Sequence, residues 1–270
     1  MEVVILDDEE QVGRPGADAV AEHVARDPRA VLGLATGSSP LRVYRELAAR
    51  VGRGELSLAG CRAFLLDEYV GLPVEHPESY RSVIRRDLID HVDLDPARVL
   101  GPDGGADDLA AAGADFERTI AAAGGVDVQL LGVGSDGHIA FNEPGSSLAS
   151  RTRIKTLTTQ TRRDNARFFG GDVDAVPRHC LTQGIGTILQ AGHLVLVALG
   201  TGKAEAVHQL VEGPVTALWP ASALQLHPHA TVLVDEAAAT RLLLRDYYRE
   251  TYLGKPAWQG FLRPRPRPAT

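Results

Sequence analysis

The chain has 270 residues, 44% of them apolar and 23% charged, with a formal net charge of −7. This is the balance of a folded soluble protein and excludes general disorder. The acidic total also excludes a surface built to coat nucleic acid or anionic membrane.

Two cysteines, Cys61 and Cys180, are too few for a disulfide framework and suit buried thiols in a reducing cytoplasm. No apolar run reaches the ~18 residues of a membrane-spanning helix. The opening MEVVILDDEEQVG lacks the basic region and cleavage site of a secretion signal, so the expected location is cytoplasmic.

In chain order, the first strand expected is Val31–Leu34, followed by a helix over Leu41–Arg50 that Ser39-Pro40 starts. A strand over Ala63–Leu66 and a helix over Pro77–Ile89 come next, then a helix over Asp107–Ala123. Strand Val126–Val133 precedes a polar stretch, Thr156–Gly171, that reads either as a lid bringing an Arg onto a phosphate or as a solvated helical face. Strand Leu194–Leu199, helix Lys203–Val211, strand Thr231–Val234 and helix Ala237–Tyr252 complete the pattern. Near-continuous apolar strands are those of a parallel sheet buried on both faces. Their alternation with helices predicts one doubly wound α/β domain over residues 1–260. The Arg/Pro-rich end, residues 261–270, reads as a flexible polyproline-like tail.

Doubly wound sheets bind ligands beyond the carboxyl ends of their strands. Three such ends are polar here. Thr36-Gly37-Ser38-Ser39-Pro40 joins a strand to a helix start, where small residues and hydroxyls suit an anion, most simply a phosphate. A plain helix cap by Ser38 or Ser39 is the alternative. Asp67 closes a buried strand, where desolvation would raise its pKa toward that of a general base, and Glu68 shares the position.

Gly132-Val-Gly134-Ser-Asp-Gly137 matches a dinucleotide fingerprint, but Pro144 and Gly145 prevent the helix such a fingerprint must open. It reads better as a loop displaying Asp136, His138 and Glu143 as an acid/base cluster. Arg162, Arg163, Arg167 and Lys203 are the cations available for a phosphate. His227-Pro-His229 reads as a surface turn and His179-Cys180 as packing. Metal-ligand spacings are lacking, so neither a metal nor an organic cofactor is expected.

Several segments together closely resemble the glucosamine-6-phosphate deaminase family. They are Leu34–Pro40, Leu66-Asp-Glu-Tyr-Val-Gly-Leu72, His76-Pro-Glu-Ser-Tyr80, the run from Gly132 to Thr156, and Leu226-His-Pro228. The resemblance covers about residues 1–250 and implies a three-layer Rossmann-like fold that binds no nucleotide. It implies conversion of glucosamine 6-phosphate and water to fructose 6-phosphate and ammonia, with amino-sugar catabolism as the setting. By match of motif, Asp67 moves the C2 proton to C1, His138 opens the sugar ring, and Asp136 and Glu143 orient and tune His138. Thr36, Gly37, Ser38, Ser39, Arg167 and Lys203 would hold the phosphate.

The resemblance also implies a homo-oligomer, a hexamer in regulated members, with an allosteric site for N-acetylglucosamine 6-phosphate. Ser146, Arg153, Lys155 and Thr156 match that site's phosphate-binding stretch. Glu2 and Arg249 stand where regulated members carry a basic residue and a tyrosine, so weak activation is expected. A lactonase or isomerase of the same fold, or a non-catalytic sugar-phosphate sensor, is the alternative reading.

Overall fold

The computed structural model describes residues 1–256 and 259–261. Seven parallel strands form the main sheet in the order β1 (Glu2–Leu6), β10 (Ala230–Asp235), β9 (His193–Ala198), β6 (Val128–Leu131), β2 (Val31–Leu34), β3 (Arg62–Leu65), β5 (Val99–Leu100). Successive side chains of β9 go to opposite faces, as a pleated strand requires. Leu194, Leu196 and Ala198 pack with Phe116 and Ile120 of α4 (Leu109–Ala122) and with Val207 and Leu210 of α7 (Ala204–Val211). Val195 and Val197 pack on the other side with Val20 of α1 (Gly13–Arg26), Tyr44 and Leu47 of α2 (Leu41–Gly52) and Ile84 of α3 (Tyr80–Asp87). These are the three layers of a Rossmann-like α/β fold in one domain.

β1 and α1 precede the first expected element. The segment Gly13-Arg-Pro-Gly16 lies in the first turn of α1, where a proline forfeits no intrahelical hydrogen bond. Gly16 lets α1 press onto α2, since a Cβ there would lie 2.4 Å from Val43 Cγ2.

A second, antiparallel sheet was not expected. It has the order β4 (Asp67–Tyr69), β8 (His179–Thr182), β7 (Arg153–Thr156). The lid stretch forms α5 (Thr159–Asn165) and a 3-10 turn, Ala166–Phe168. A short α6 (Ile185–Ile188) follows β8.

The last helix, α8 (Arg245–Leu253), starts later than the expected Ala237. The Glu212 carboxylate takes the N–H groups of Leu243 and Leu244 at 2.8–3.1 Å, and this pulls that segment out of a helical ladder. Of the tail expected over residues 261–270, Phe261 is instead buried in the core, with Lys255 Nζ 4.7 Å from its ring centre, and residues 262–270 lie outside the described residues. Among the described residues no helix is long and apolar enough to cross a membrane.

His227-Pro-His229 is not a surface turn. His227 is buried, its Nε2 donates to Ala191 O at 2.8 Å, and its Nδ1 accepts from His229 N. The His229 ring stacks on His193 with centroids 3.6 Å apart. His193 is fully buried, sits 2.9 Å from the Thr231 hydroxyl and meets His23 across 3.4 Å.

Burial first, and then the neighbouring His229, His23, His227 and Lys255, push the His193 pKa down to about 2. An unfolded histidine titrates near ~6.5, so below that pH the unfolded chain gains a proton that folded His193 refuses. The stability is complete above that pH and is lost by ~1.4 kcal/mol per pH unit as pH falls below it. His193→Gln should therefore flatten the acid limb of stability between about pH 6 and 4.5. Urea midpoints across that range check this, and an unchanged slope would remove His193 from the acid response.

Candidate active site

The polar strand ends converge on the carboxyl edge of the main sheet. At the end of β2, the buried Tyr44 hydroxyl donates to Ala35 O at 2.7 Å and accepts from Ala35 N at 3.1 Å. One side chain thus satisfies a peptide that has left the sheet, and it fixes where the loop Thr36–Ser39 begins. No side chain caps α2, whose first position follows Pro40. The Ser38 and Ser39 hydroxyls are thus not committed to the helix as plain caps.

Asp67 opens β4 immediately after β3 and is 5% exposed. It pairs with Thr182 of β8, whose hydroxyl accepts from Phe141 N at 3.2 Å. Burial, and then the neighbouring Glu68 charge, drive the Asp67 carboxyl well above the ordinary carboxylate range.

Glu68 points to the other face of β4 and caps α3. It accepts from Tyr80 N at 3.0 Å and Arg81 N at 3.1 Å, while Ser79 accepts from Ser82 N. The two adjacent carboxylates therefore part company. Burial raises the pKa of both carboxyls, so their partners distinguish them: Glu68 accepts the N–H groups of Tyr69, Tyr80 and Arg81 and is spent on a helix terminus, whereas Asp67 caps no helix among the described residues.

After β6 comes the loop Gly132–Glu143. Its His138 Nδ1 lies 2.6 Å from Asp136 Oδ1. Burial would raise the Asp136 pKa, but the hydrogen bond and charge of His138 outweigh it and hold the carboxylate low. An ionised carboxylate only accepts, so Nδ1 carries the proton and a neutral ring keeps a lone pair on Nε2.

The glycines here serve this ring and not a dinucleotide. A Cβ on Gly134 would sit 2.2 Å from His138 Cε1 and Nδ1. Gly137, at φ +79°, lies under the Trp219 ring and accepts from Ala221 N at 2.8 Å. A tight turn follows, with Asn142 N donating to Ile139 O at 3.0 Å. It places Ala140 at φ +50°, a strain of ~1–2 kcal/mol for a residue with a Cβ. Buried Asn142 anchors the turn through Ile139 O and Gln183 O and accepts from Arg153.

Glu143 is buried, and its Oε1 accepts from Thr158 N, the Thr158 hydroxyl and the Thr161 hydroxyl. Its described hydrogen bonds hold the start of α5 and do not go to His138.

Lys203 follows β9, half-buried. Burial, and then the nearby Arg167 charge, lower its pKa. Asp136 and Asp164 act the other way, so the charges around Lys203 are mixed. Arg167 comes from the lid, and Lys203 is steadied from below. Buried Asp235 accepts from Gly200 N at 3.0 Å and fixes the turn that carries it. Arg162 is bound to Val173 O and Val176 O and serves the lid itself.

Of the residues matched to an allosteric stretch, Ser146 has a buried hydroxyl with no partner among the described residues. Arg153 and Lys155 share one face of β7, while Thr156 lies on the other and meets His179 Nδ1 at 3.2 Å. Glu2 accepts from Lys255, and Arg249 pairs with Glu236. Cys180 is fully buried in a small aromatic core with Tyr69 and Phe141, whereas its neighbour His179 is exposed.

Thr182, Tyr44, Trp219 and Asp235 were not singled out in the sequence. Each acts through a partner remote in the chain, and only the strand pairing and the loop contacts reveal them.

Residues 9–234 match the family described as glucosamine-6-phosphate isomerases/6-phosphogluconolactonase. The glucosamine-6-phosphate deaminase of Beutenbergia cavernae is 66% identical over 260 residues, covering 96% of this chain and all of that one. That of Mycolicibacterium smegmatis is 65% identical over the same shares. A solved monomeric glucosamine-6-phosphate deaminase, 42% identical, superposes with a TM-score of 0.87 over 89% of this chain and all of that one. The 6-phosphogluconolactonase of Trypanosoma cruzi, 20% identical with a TM-score of 0.72 over 90% of this chain and 97% of that one, shares the fold. On these grounds the chain belongs to the glucosamine-6-phosphate isomerase/6-phosphogluconolactonase family.

Proposed function

We propose that this chain converts glucosamine 6-phosphate and water to fructose 6-phosphate and ammonia. The observation that carries the reading is the separation of two acid/base centres on one sheet edge. One is a buried carboxyl with a raised pKa, and the other is a carboxylate-held histidine. The relatives named as deaminases support the same reading.

A closed pyranose has no acidic C2–H. His138, with Asp136 fixing its tautomer, takes the proton of the anomeric hydroxyl and delivers it to the ring oxygen as that oxygen leaves C1, and the open-chain aldehyde forms. Asp67 then removes the C2 proton and returns it at C1 through an enediol-type intermediate. The imine left at C2 adds water and expels ammonia, which makes the reaction a hydrolytic deamination.

Thr36, Gly37, Ser38, Ser39, Arg167 and Lys203 hold the phosphate. That group does not react, and its binding energy orients C1 and C2. Glu143 contributes by seating α5, the element that leads to Arg167. All of these groups come from one chain, so the reaction itself needs no second copy. The resemblance implies a hexamer, and the 42% identical relative is described as monomeric. For the regulatory anion, proposed at Ser146, Arg153, Lys155 and Thr156, the support is that Arg153 and Lys155 share a face of β7, while Thr156 faces away. The free thiols Cys61 and Cys180 suit a cytoplasmic setting.

Coupled detection of ammonia and fructose 6-phosphate, with and without N-acetylglucosamine 6-phosphate, tests the reading. Both products should appear in equal amounts, with modest activation at most. A lactonase or a sensor would release no ammonia. Asp67→Asn should lower turnover by ~10²–10⁴-fold and leave sugar-phosphate binding intact. Near-normal turnover would reassign the base.

Lys203→Ala and Arg167→Ala should each raise KM by ~10- to 100-fold, the effect of losing one charge-assisted contact. Equal efficiency on glucosamine and its 6-phosphate would contradict the phosphate assignment.

A further inference from the structure

We propose that the Tyr69 hydroxyl is a positioning group that sets Arg167 relative to the base Asp67. The inference rests on the reading that Arg167 holds the substrate phosphate.

Tyr69 is 1% exposed and lies two residues beyond Asp67 on β4, so both side chains leave the same face of a three-residue strand. Arg167 is exposed on the 3-10 turn after α5, a turn with no side-chain cap of its own. The residues two before and two after Arg167 both meet Tyr69. Asn165 Nδ2 donates to the Tyr69 hydroxyl at 3.0 Å. The Phe169 ring stands edge-on to the Tyr69 ring, with centroids 5.8 Å apart at 84°.

The turn has other ties: His76 also stacks on Phe169 with centroids 5.9 Å apart, and Ala166 is buried beside it. Glu143 holds Thr158 and Thr161, and Arg162 holds Val173 O and Val176 O. Tyr69 itself cannot move freely. Its ring packs on Tyr80 at 4.9 Å and Phe141 at 5.7 Å, and the Tyr80 hydroxyl lies 3.4 Å from its own.

The chemistry gives such a tie a purpose. The phosphate is on C6 and the proton moves between C2 and C1, so the cation and the base must keep a fixed separation. A rigid side chain that meets both the base strand and the turn carrying the cation maintains it. A purely packing role would need the ring but not the hydroxyl.

The test compares the wild type with Tyr69→Phe, Arg167→Ala and the double variant, reading KM and kcat for glucosamine 6-phosphate. Tyr69→Phe keeps the ring and should raise KM about 2- to 10-fold, the range for one hydrogen bond, with kcat changed less than about twofold. In the Arg167→Ala background the same change should have no further effect. Asn165→Ala, which alters only the lid side, should reproduce the Tyr69→Phe result.

An unchanged KM in Tyr69→Phe, a fall in kcat alone, or a full effect that persists without Arg167 would overturn the proposal. If Arg167→Ala itself leaves KM unaltered, the phosphate reading fails, and that result is distinct from the others.

Discussion

The structure depends on keeping one carboxyl group out of water where two sheets meet. Asp67 sits at the point where β3 leaves the parallel sheet and β4 enters the antiparallel one. It is buried and faces Thr182 across the strand pair. In water this carboxylate would be a weak base. Removed from water, and next to Glu68, whose own pKa burial also raises, it favours the neutral acid and binds a proton at higher pH. Glu68 can stay beside it because the first turn of α3 donates two N–H groups to it.

The rest of the site is arranged around that constraint with the opposite electrostatics. Asp136 is held below the ordinary carboxylate range and serves to orient His138. Burial, and then the nearby Arg167 charge, lower the Lys203 pKa, while Asp136 and Asp164 act the other way. A bound phosphate would relieve the repulsion between the two cations. Binding energy gathered there is remote from the reacting carbons and can be used to align them. The loop glycines follow the same logic, since Gly134 and Gly137 make room for the His138 and Trp219 rings.

Five of the seven strands of the main sheet were legible because they are buried on both faces and read as apolar runs, while β1 and the two-residue β5 were missed. Val31–Leu34 coincides with β2, and β9 and β10 differ from expectation by one residue at each end. The second sheet was not legible. Arg153–Thr156 and His179–Thr182 are short, mostly polar segments that become strands only by pairing with each other and with β4, far away in sequence. The same non-local pairing decides between Asp67 and Glu68, which a strand-end pattern alone leaves open. Asp136 and His138 were legible as neighbours two positions apart. The partners of Glu143 were not, because they lie on the lid and not on its own loop.

The pKa of Asp67 tests this account most directly. Titration of the Asp67 side-chain carboxyl by carbon NMR, assigned with Asp67→Asn, should give a midpoint well above the ~3.9 of an ordinary aspartate. A midpoint at or below that value would mean that burial does not make Asp67 a base.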